Sequence, residues 1–346
     1  MNLKKTALAA AIAGVFAMGA AGQAAASVYA GSKLEISDLT IVITGVNAPA
    51  VSSYSFNLDN TATLNGVSDT TAGISTSCFG SVTTSVTTCS TTPGTPPLAA
   101  HAANAPGGAP SRVDGAANNW DFFGPDVAQT YANSDSEIQT AQLVNGVPTS
   151  TVQISEAEIA GTGTAQSSTN VQSNTTLNFV FTTVGPASLT LSFQANPSLY
   201  VSDDTVPTPL IALAQANTGL SFGLSSTNAG VNVRWNPDGL AGGFSSCVGA
   251  TCTENDDDES LNNTVGLPSV PGSDGISDIR SGNDNGLSNF SITLGSLGAG
   301  TYSLTLAGTS SVSVVQIESV PEPATLALLG IGLLGIGAAK RRNKRV

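Results

Sequence analysis

The chain has 346 residues, with 11 Lys and Arg against 24 Asp and Glu and a formal net charge of −13. A strongly acidic chain repels phosphate backbones, which excludes nucleic-acid binding as a function class. The length allows one large β-domain or two smaller ones, and the sequence leaves that choice open.

The N-terminus has the three parts of a secretory signal peptide, which we expect to be helical. Lys4 and Lys5 precede an apolar stretch, and small residues follow it. This order predicts export and removal of residues 1–26 by signal peptidase before Ser27, with a second acceptable cleavage site after Ala30. A lasting N-terminal anchor is disfavoured because the run is short and rich in Ala and Gly.

Four cysteines lie in two local pairs along the exported chain. Cys78 and Cys89 share a Ser/Thr-rich stretch, whereas Cys247 and Cys252 lie in the sequence CVGATC. Cysteines outside the cytoplasm usually form disulfides, and proximity favours the two local pairings among the three that are available. Zinc binding is disfavoured because the spacings are not of the C-x2-C type, while free thiols stay an alternative.

The body of the chain carries many short stretches in which apolar side chains alternate. In the segment 34–43 the alternation changes phase near Asp38, which predicts a β-bulge. Two alternating stretches flank Gly185-Pro186 and predict a hairpin, and residues 290–314 predict a three-stranded meander with glycine turns. These patterns predict an all-β fold, an antiparallel β-sandwich for which a jelly roll is one arrangement.

A stretch rich in Pro, Gly and Ala covers residues 91–119 and predicts a long surface loop or linker. It would separate an N-terminal β region, residues 27–90, from the main sandwich, residues 120–319. His101, the only histidine, lies in this stretch. No G-x-S-x-G sequence accompanies it, so a Ser-His-Asp triad is disfavoured and we expect a protein that is not an enzyme. A carboxylate pair facing a cleft is the catalytic alternative.

An acidic cluster directly follows the second cysteine pair. Its members are Glu254, Asp256, Asp257, Asp258 and Glu259. Carboxylate oxygens on a constrained loop suit calcium, the only cofactor for which the sequence offers a candidate site. The cluster lacks the D-x-D-x-D-G spacing of a calcium loop, so a solvated acidic loop is the other interpretation.

Aromatic side chains form a second candidate binding feature. Trp120, Phe122 and Phe123 lie together, and Trp235 lies far along the chain. Such rings can line a sugar-binding face, although packing in a core or against a loop is the commoner role for so few of them.

The C-terminus combines an uncharged apolar run with a basic end. Residues 324–339 form a run of 16 residues without a charge. As a helix this run would be about 24 Å long, marginal for a hydrocarbon core of ~30 Å. The basic cluster after it would stay on the cytoplasmic side of a membrane. The cluster comprises Lys340, Arg341, Arg342, Lys344 and Arg345.

The segment 320–346 resembles the PEP-CTERM sorting signal of bacterial surface proteins. The resemblance rests on Val320-Pro321-Glu322-Pro323, then a Leu/Gly-rich span, then the basic cluster. It implies recognition by an exosortase, a membrane-embedded cysteine transpeptidase that cleaves near the Pro-Glu-Pro residues. The protein would pass through the inner membrane as a transient transmembrane intermediate. It would end on the cell surface or in the extracellular matrix of a Gram-negative bacterium that makes exopolysaccharide.

Removal of both ends would make the protein more acidic. Cleavage before Ser27 and before Pro321 leaves four basic and 23 acidic residues, a formal charge of −19. We therefore expect an exported, non-catalytic protein of the cell surface or matrix, associated with exopolysaccharide. The alternative is a surface binding module that depends on carbohydrate or calcium.

Overall fold

The structure is a computed structural model, and the sorting residues, the basic cluster and the predicted signal peptide lie outside the part of the chain that it describes. Within that part, no helix is long and apolar enough to span a membrane. The described residues are 27–46, 50–79, 88–92, 98–113, 119–125, 129–138, 149–160, 166–203, 211–268, 276–281 and 286–317.

The described residues form 17 β-strands and one short 3-10 turn, Pro106–Gly108. The strands of the first half are β1 (Ser27–Gly45), β2 (Ala50–Leu64), β3 (Val67–Phe79), β4 (Thr88–Thr92), β5 (Leu98–Asn104), β6 (Tyr131–Ile138), β7 (Thr149–Ala160) and β8 (Gln166–Thr183). Those of the second half are β9 (Ala187–Asp203), β10 (Ile211–Ser226), β11 (Val231–Trp235), β12 (Phe244–Val248), β13 (Thr251–Asp257), β14 (Asn263–Pro268), β15 (Ile276–Ser281), β16 (Ser288–Leu297) and β17 (Gly300–Ile317).

The strands build two antiparallel sheets that pack face to face. Sheet A has the order β13-β16-β9-β1-β7-β6-β5, with β15 also paired to β9. Sheet B has the order β12-β11-β10-β17-β8-β2-β3-β4, with β14 also paired to β10. The predicted all-β antiparallel sandwich is thereby confirmed.

The core between the sheets contains apolar clusters and inward polar groups that bond from sheet to sheet. The main apolar cluster combines residues such as Leu191 of sheet A with Phe179 of sheet B. Elsewhere in the interior, Ser310 of β17 donates to the carbonyl of Ser32 at 2.8 Å, and Ser155 of β7 donates to the carbonyl of Ser310 at 2.8 Å. These bonds satisfy polar groups that would otherwise be costly to bury.

The predicted hairpin around Gly185-Pro186 is wrong, although both of its strands exist. β8 pairs with β17 and β2 in sheet B, whereas β9 pairs with β1, β15 and β16 in sheet A. The chain therefore crosses from one sheet to the other at this turn. The two apolar faces meet across the core instead of side by side.

The predicted meander over 290–314 is also wrong, because its strands belong to different sheets. β16 belongs to sheet A and β17 to sheet B, and β17 runs without a turn from Gly300 to Ile317. Gly308 faces the core within this strand, where a Cβ atom would overlap the amide of Gln153 from β7. The glycine therefore makes room for a side chain of the opposite sheet.

The predicted bulge in β1 is confirmed. The register of β1 shifts between Ile36 and Leu39 against β7, and between Ser37 and Thr40 against β9. Asp38 has a φ of 53°, which places it in the left-handed region. Asp is one of the few residues besides Gly that adopt this conformation at modest cost.

The N-terminal strands share both sheets with strands from the rest of the chain. β1 lies between β9 and β7 in sheet A, and β2 lies beside β8 in sheet B. The stretch 91–119, expected to be a loop or linker, contains β5, which pairs with β6. Small Ala side chains make this strand compact, and two of them, Ala100 and Ala102, are fully buried. This packing offsets the weak strand propensity of alanine.

Candidate functional site

The acidic cluster lies on β13 and just after it, and its first member closes a neighbouring loop. Glu254 accepts hydrogen bonds from the indole Nε1 of Trp235 at 2.5 Å and from the backbone N–H of Gly243 at 3.1 Å. It also accepts from the N–H of Gly242. The carboxylate thus holds the segment that connects β11 to β12.

The other acidic side chains point to different partners. Asp257 accepts from the backbone N–H groups of Asp238 at 3.0 Å and Gly239 at 3.1 Å, whereas Asp258 accepts from the N–H of Asn289 at 2.9 Å. The described residues contain no group of three or more His, Cys, Asp or Glu side chains that would hold a metal ion. The structure therefore does not bring Glu254, Asp256, Asp257, Asp258 and Glu259 together as a calcium ligand set.

Asp257 of this cluster is partly buried, and its titration is shifted. Burial raises the pKa of Asp257 from 3.8 to about 6, the two N–H donors oppose this rise, and the nearby Glu254 and Asp238 add to it. Its Oδ1 atom is buried and has no hydrogen-bond partner among the described residues. The ionised form is therefore less favourable in the folded state than in the unfolded chain.

We expect replacement of Asp257 by asparagine to remove a pH dependence of stability. The folded pKa is the higher one, so the folded state binds more protons between pH 3.8 and about 6. The parent therefore loses stability as pH rises through that window, by on the order of 1 kcal/mol once partial solvent exposure is taken into account. Asp257→Asn should lack this loss, as measured by urea unfolding at pH 4 and pH 7.

Asp258→Asn provides the matched control because it removes the same charge from an exposed neighbour. The interpretation fails if Asp257→Asn and its parent lose the same free energy of unfolding between the two pH values.

The second cysteine pair links the two sheets at one end of the sandwich. Cys247 on β12 and Cys252 on β13 form a disulfide with a Cα–Cα distance of 6.2 Å. Since β12 is an edge strand of sheet B and β13 an edge strand of sheet A, this bond ties two sheet edges together. In the other pair, Cys78 of β3 lies opposite Cys89 of β4 in the antiparallel register. The side chains of that pair lie outside the described residues.

The candidate aromatic residues separate into a core residue and a surface group. Trp235 is fully buried in the main cluster, with its ring 6.2 Å from that of Phe193. Phe122 and Phe123 pack over Tyr29 and Tyr131 on the outer face of sheet A. Trp120, two residues before Phe122 in the chain, is half-buried. A sugar-binding face that uses all four rings is thereby excluded.

A buried ion pair holds the segment that carries these surface aromatics. The guanidinium of Arg112 donates from Nη2 to Oε2 of Glu156 at 2.8 Å, and both side chains are 0% exposed. The same nitrogen donates to the carbonyl of Asp121 at 2.8 Å, and the guanidinium lies 4.6 Å from the centre of the Phe123 ring. Arg112 therefore connects the segment at 121–123 to β7.

The remaining oxygen of Glu156 is also fully used. Its Oε1 accepts from the hydroxyl groups of Tyr29 at 2.7 Å and Tyr131 at 3.1 Å, and from the N–H of Gly124 at 3.0 Å. Burial, reinforced by the Glu156 charge, raises the pKa of both Tyr29 and Tyr131, so both phenols stay protonated donors. The cluster is a buried structural anchor in which both carboxylate oxygens of Glu156 are hydrogen-bonded.

Gly31 completes the anchor by allowing close contact. A Cβ atom at this position would lie 2.6 Å from the Tyr29 hydroxyl and 2.9 Å from ring atoms of Phe122.

The sequence analysis did not predict the roles of Arg112, Glu156, Tyr29 and Tyr131. One signal was available, because Arg112 is one of only four basic residues between the two ends of the chain.

The histidine that a Ser-His-Asp triad would need is a strand residue. His101 lies on β5, and its register partner is Asp135 of β6. This differs from the loop position that the surrounding Pro, Gly and Ala residues predict.

The comparisons with known proteins identify one segment of the chain. Residues 319–342 match the family model described as the PEP-CTERM protein-sorting motif. The chain carries a PEP-CTERM sorting motif. This motif implies export and a membrane-anchored intermediate that an exosortase processes. Neither the curated proteins nor the solved structures contain a match to the chain.

Proposed function

We propose that this PEP-CTERM protein is a non-catalytic component of the cell surface or extracellular matrix, where its sandwich stands among exopolysaccharide chains. The observation that carries the proposal is the sorting motif at residues 319–342, because exosortase processing releases an exported domain from its membrane stop. The organism would be a Gram-negative bacterium, and the processed product would lie outside the inner membrane.

The outer face of sheet B supports a role in a hydrated polysaccharide matrix. Many of its exposed side chains carry uncharged amide and hydroxyl groups that can exchange hydrogen bonds with sugars and water. Some of these groups bond across strands, as Thr264 does to Asn217 at 2.9 Å and Thr305 does to Asn178 at 3.1 Å. Exposed members of this face are Asn170, Gln172, Asn178, Gln215, Ser221 and Thr264.

The acidic and ionic groups support a non-catalytic role. Glu254, Asp257 and Asp258 accept backbone hydrogen bonds that hold local structure. Glu156 is buried and fully hydrogen-bonded. These carboxylates therefore have structural hydrogen-bond partners within the fold, and the strongly negative charge keeps the protein soluble and apart from other anionic surfaces.

Cell fractionation with and without the exosortase tests the proposal. We expect the protein in the matrix fraction, together with exopolysaccharide, of cells that have the enzyme. Cells without it should retain the protein in the inner membrane. Recovery of the protein in the matrix in equal amounts from both strains, or its absence from the matrix of enzyme-containing cells, would overturn the proposal.

A second candidate function is a carbohydrate-binding module on the same surface. The observation that favours it is the position of Trp120, which is half-buried at the surface while Trp235 is fully buried in the core. A partly exposed indole offers a flat apolar face of the kind on which a sugar ring can stack.

A further inference from the structure

The first strand of the sandwich starts at the same end of the fold at which the last strand stops. Ser27, the first residue of β1, pairs with Ala160 in sheet A, whereas Ile317, the last residue of β17, pairs with Gln166 in sheet B. Only six positions separate Ala160 from Gln166, and six residues span at most about 22 Å even when fully extended. Ser27 and Ile317 therefore lie at one end of the sandwich, which we call the terminal end.

The opposite end of the sandwich lies far away along the strands. β17 begins there at Gly300, which pairs with Thr183, the last residue of β8. Since β17 has 18 residues, the two ends are about 58 Å apart at ~3.4 Å per residue. A measurement of distance can therefore tell the two ends apart.

The sorting motif brings the terminal end close to the membrane. The motif implies a membrane-anchored intermediate, and its apolar run begins at Ala324, seven positions after Ile317. Seven residues reach at most about 25 Å, which is less than half the length of the sandwich. Anionic lipids repel the strongly acidic chain, which disfavours a sandwich that lies flat on the bilayer. The intermediate therefore stands on its terminal end.

Exposed apolar side chains give the terminal end a surface suited to lipid. On the outer face of sheet B, Leu213 of β10 pairs with Val315 of β17, two positions before Ile317. Leu213 and Ile317 are exposed and Val315 is half-buried, and we call these three residues the terminal patch. Apolar side chains at the level of the lipid headgroups can bury their surface at the acyl boundary.

We propose that the terminal end faces the lipid bilayer in the membrane-anchored intermediate and that the terminal patch contacts the lipid surface. The proposal rests on the sorting motif and on the topology of the sandwich, and it does not depend on the proposed matrix role. Both processing enzymes, signal peptidase and the exosortase, then act beside the terminal end. The opposite end points away from the membrane.

Two valines, one near each end, provide a matched pair of label sites. Val67 and Val184 are each 66% exposed. Val67 lies opposite Leu64, whose partner on β8 is Thr169, so this site is near the terminal end. Val184 directly follows Thr183 and is at the opposite end. Cysteine at either position can carry the same donor fluorophore.

Energy transfer from these sites to labelled lipid tests the orientation. The full-length chain is purified from cells without the exosortase and reconstituted into vesicles of phosphatidylethanolamine and phosphatidylglycerol, with an acceptor-labelled lipid in both leaflets. We expect transfer at least about threefold more efficient from Val67→Cys than from Val184→Cys, because ~50 Å along the strands separate the two sites. The parent chain, taken through the same labelling, gives the background from its native cysteines.

A polarity-sensitive fluorophore at Leu213→Cys tests the contact of the terminal patch. Its emission should lie further to the blue in vesicles than in the same variant recovered after exosortase processing, which has lost its membrane segment. The same fluorophore at Val184→Cys should emit at the same wavelength in both forms of the protein.

Equal transfer from the two valine sites, or stronger transfer from Val184→Cys, would overturn the orientation. An unshifted emission at Leu213→Cys would overturn the lipid contact. Cell fractionation concerns the processed protein, so the two proposals can fail separately. If the vesicle measurements fail while the protein still reaches the matrix in an exosortase-dependent manner, only the orientation is wrong. If they succeed and the protein never reaches the matrix, only the proposed surface function is wrong.

Discussion

Replacement of Arg112 by methionine is expected to lower the free energy of unfolding by about 3–5 kcal/mol. The substitution keeps an unbranched apolar stem but removes the guanidinium that pairs with the Glu156 carboxylate, and both side chains of the pair are 0% exposed in the parent. An uncompensated buried charge is among the largest single destabilising effects in proteins. Urea unfolding of the purified full-length chain, followed by circular dichroism, measures the loss.

The ion pair between Lys33 and Glu35 provides the control for this prediction. Lys33→Met removes the same charge, but the side chains of that pair are 18% and 43% exposed, respectively. Water can therefore compensate for the loss, and we expect a change below about 1 kcal/mol. Equal losses of unfolding free energy in Arg112→Met and Lys33→Met would contradict the prediction. They would show that burial of an ion pair does not determine how strongly its removal destabilises the fold.

A double-mutant cycle separates the ion pair from other effects of Arg112. Glu156→Gln keeps the shape of the side chain and removes its charge. The double variant Arg112→Met/Glu156→Gln should therefore be more stable than the sum of the two single losses predicts. Additive losses would show that Arg112 stabilises the fold through Asp121 and Phe123 alone.

The anchor also fixes the backbone beside Trp120, the surface ring of the second candidate function. Arg112 bonds to the carbonyl of Asp121, which directly follows Trp120 in the chain. The backbone next to the indole is thus fixed to β7 by a buried charged contact. This arrangement holds a surface ring in place with little loss of entropy on ligand binding, as pre-organised sites require.

Alternation of apolar residues predicted the strands and the bulge but not how the strands pair. A run such as 177–181 shows only that one face of the strand is buried. In the structure this face of β8 and the corresponding face of β9 enter one core from opposite sheets. Gly185-Pro186 permits both a hairpin turn and a crossing between sheets, so the local sequence cannot choose between them.

The buried polar contacts were less predictable than the apolar core. Ser32, Ser155 and Ser310 occupy inward positions that a simple alternation rule assigns to apolar side chains, and their bonding partners are distant in sequence. Arg112 and Glu156 are likewise 44 positions apart. Pairing over such distances is set by the fold, and a single sequence contains no direct record of it.

Replacement of the three residues Pro321, Glu322 and Pro323 by alanine is expected to abolish processing at the C-terminus. Prolines disfavour a regular helix, so we expect Pro321 and Pro323 to favour an extended segment before the apolar run at 324–339. Alanine favours helix, which would draw this segment out of the extended conformation that a protease needs. Export itself should continue, because the N-terminal signal is unchanged.

Intact-mass measurement of membrane and surface fractions tests this expectation. The parent should be recovered at the surface without its last 20 or so residues, while the alanine variant should stay in the membrane with all five residues of the basic cluster. Glu318→Ala is the control, because it removes one acidic residue just outside the matched segment 319–342 and should be processed normally. If the alanine variant is recovered at the surface in shortened form, the three replaced residues are not required for processing. If the parent reaches the surface with its basic cluster intact, the C-terminus is not processed at all.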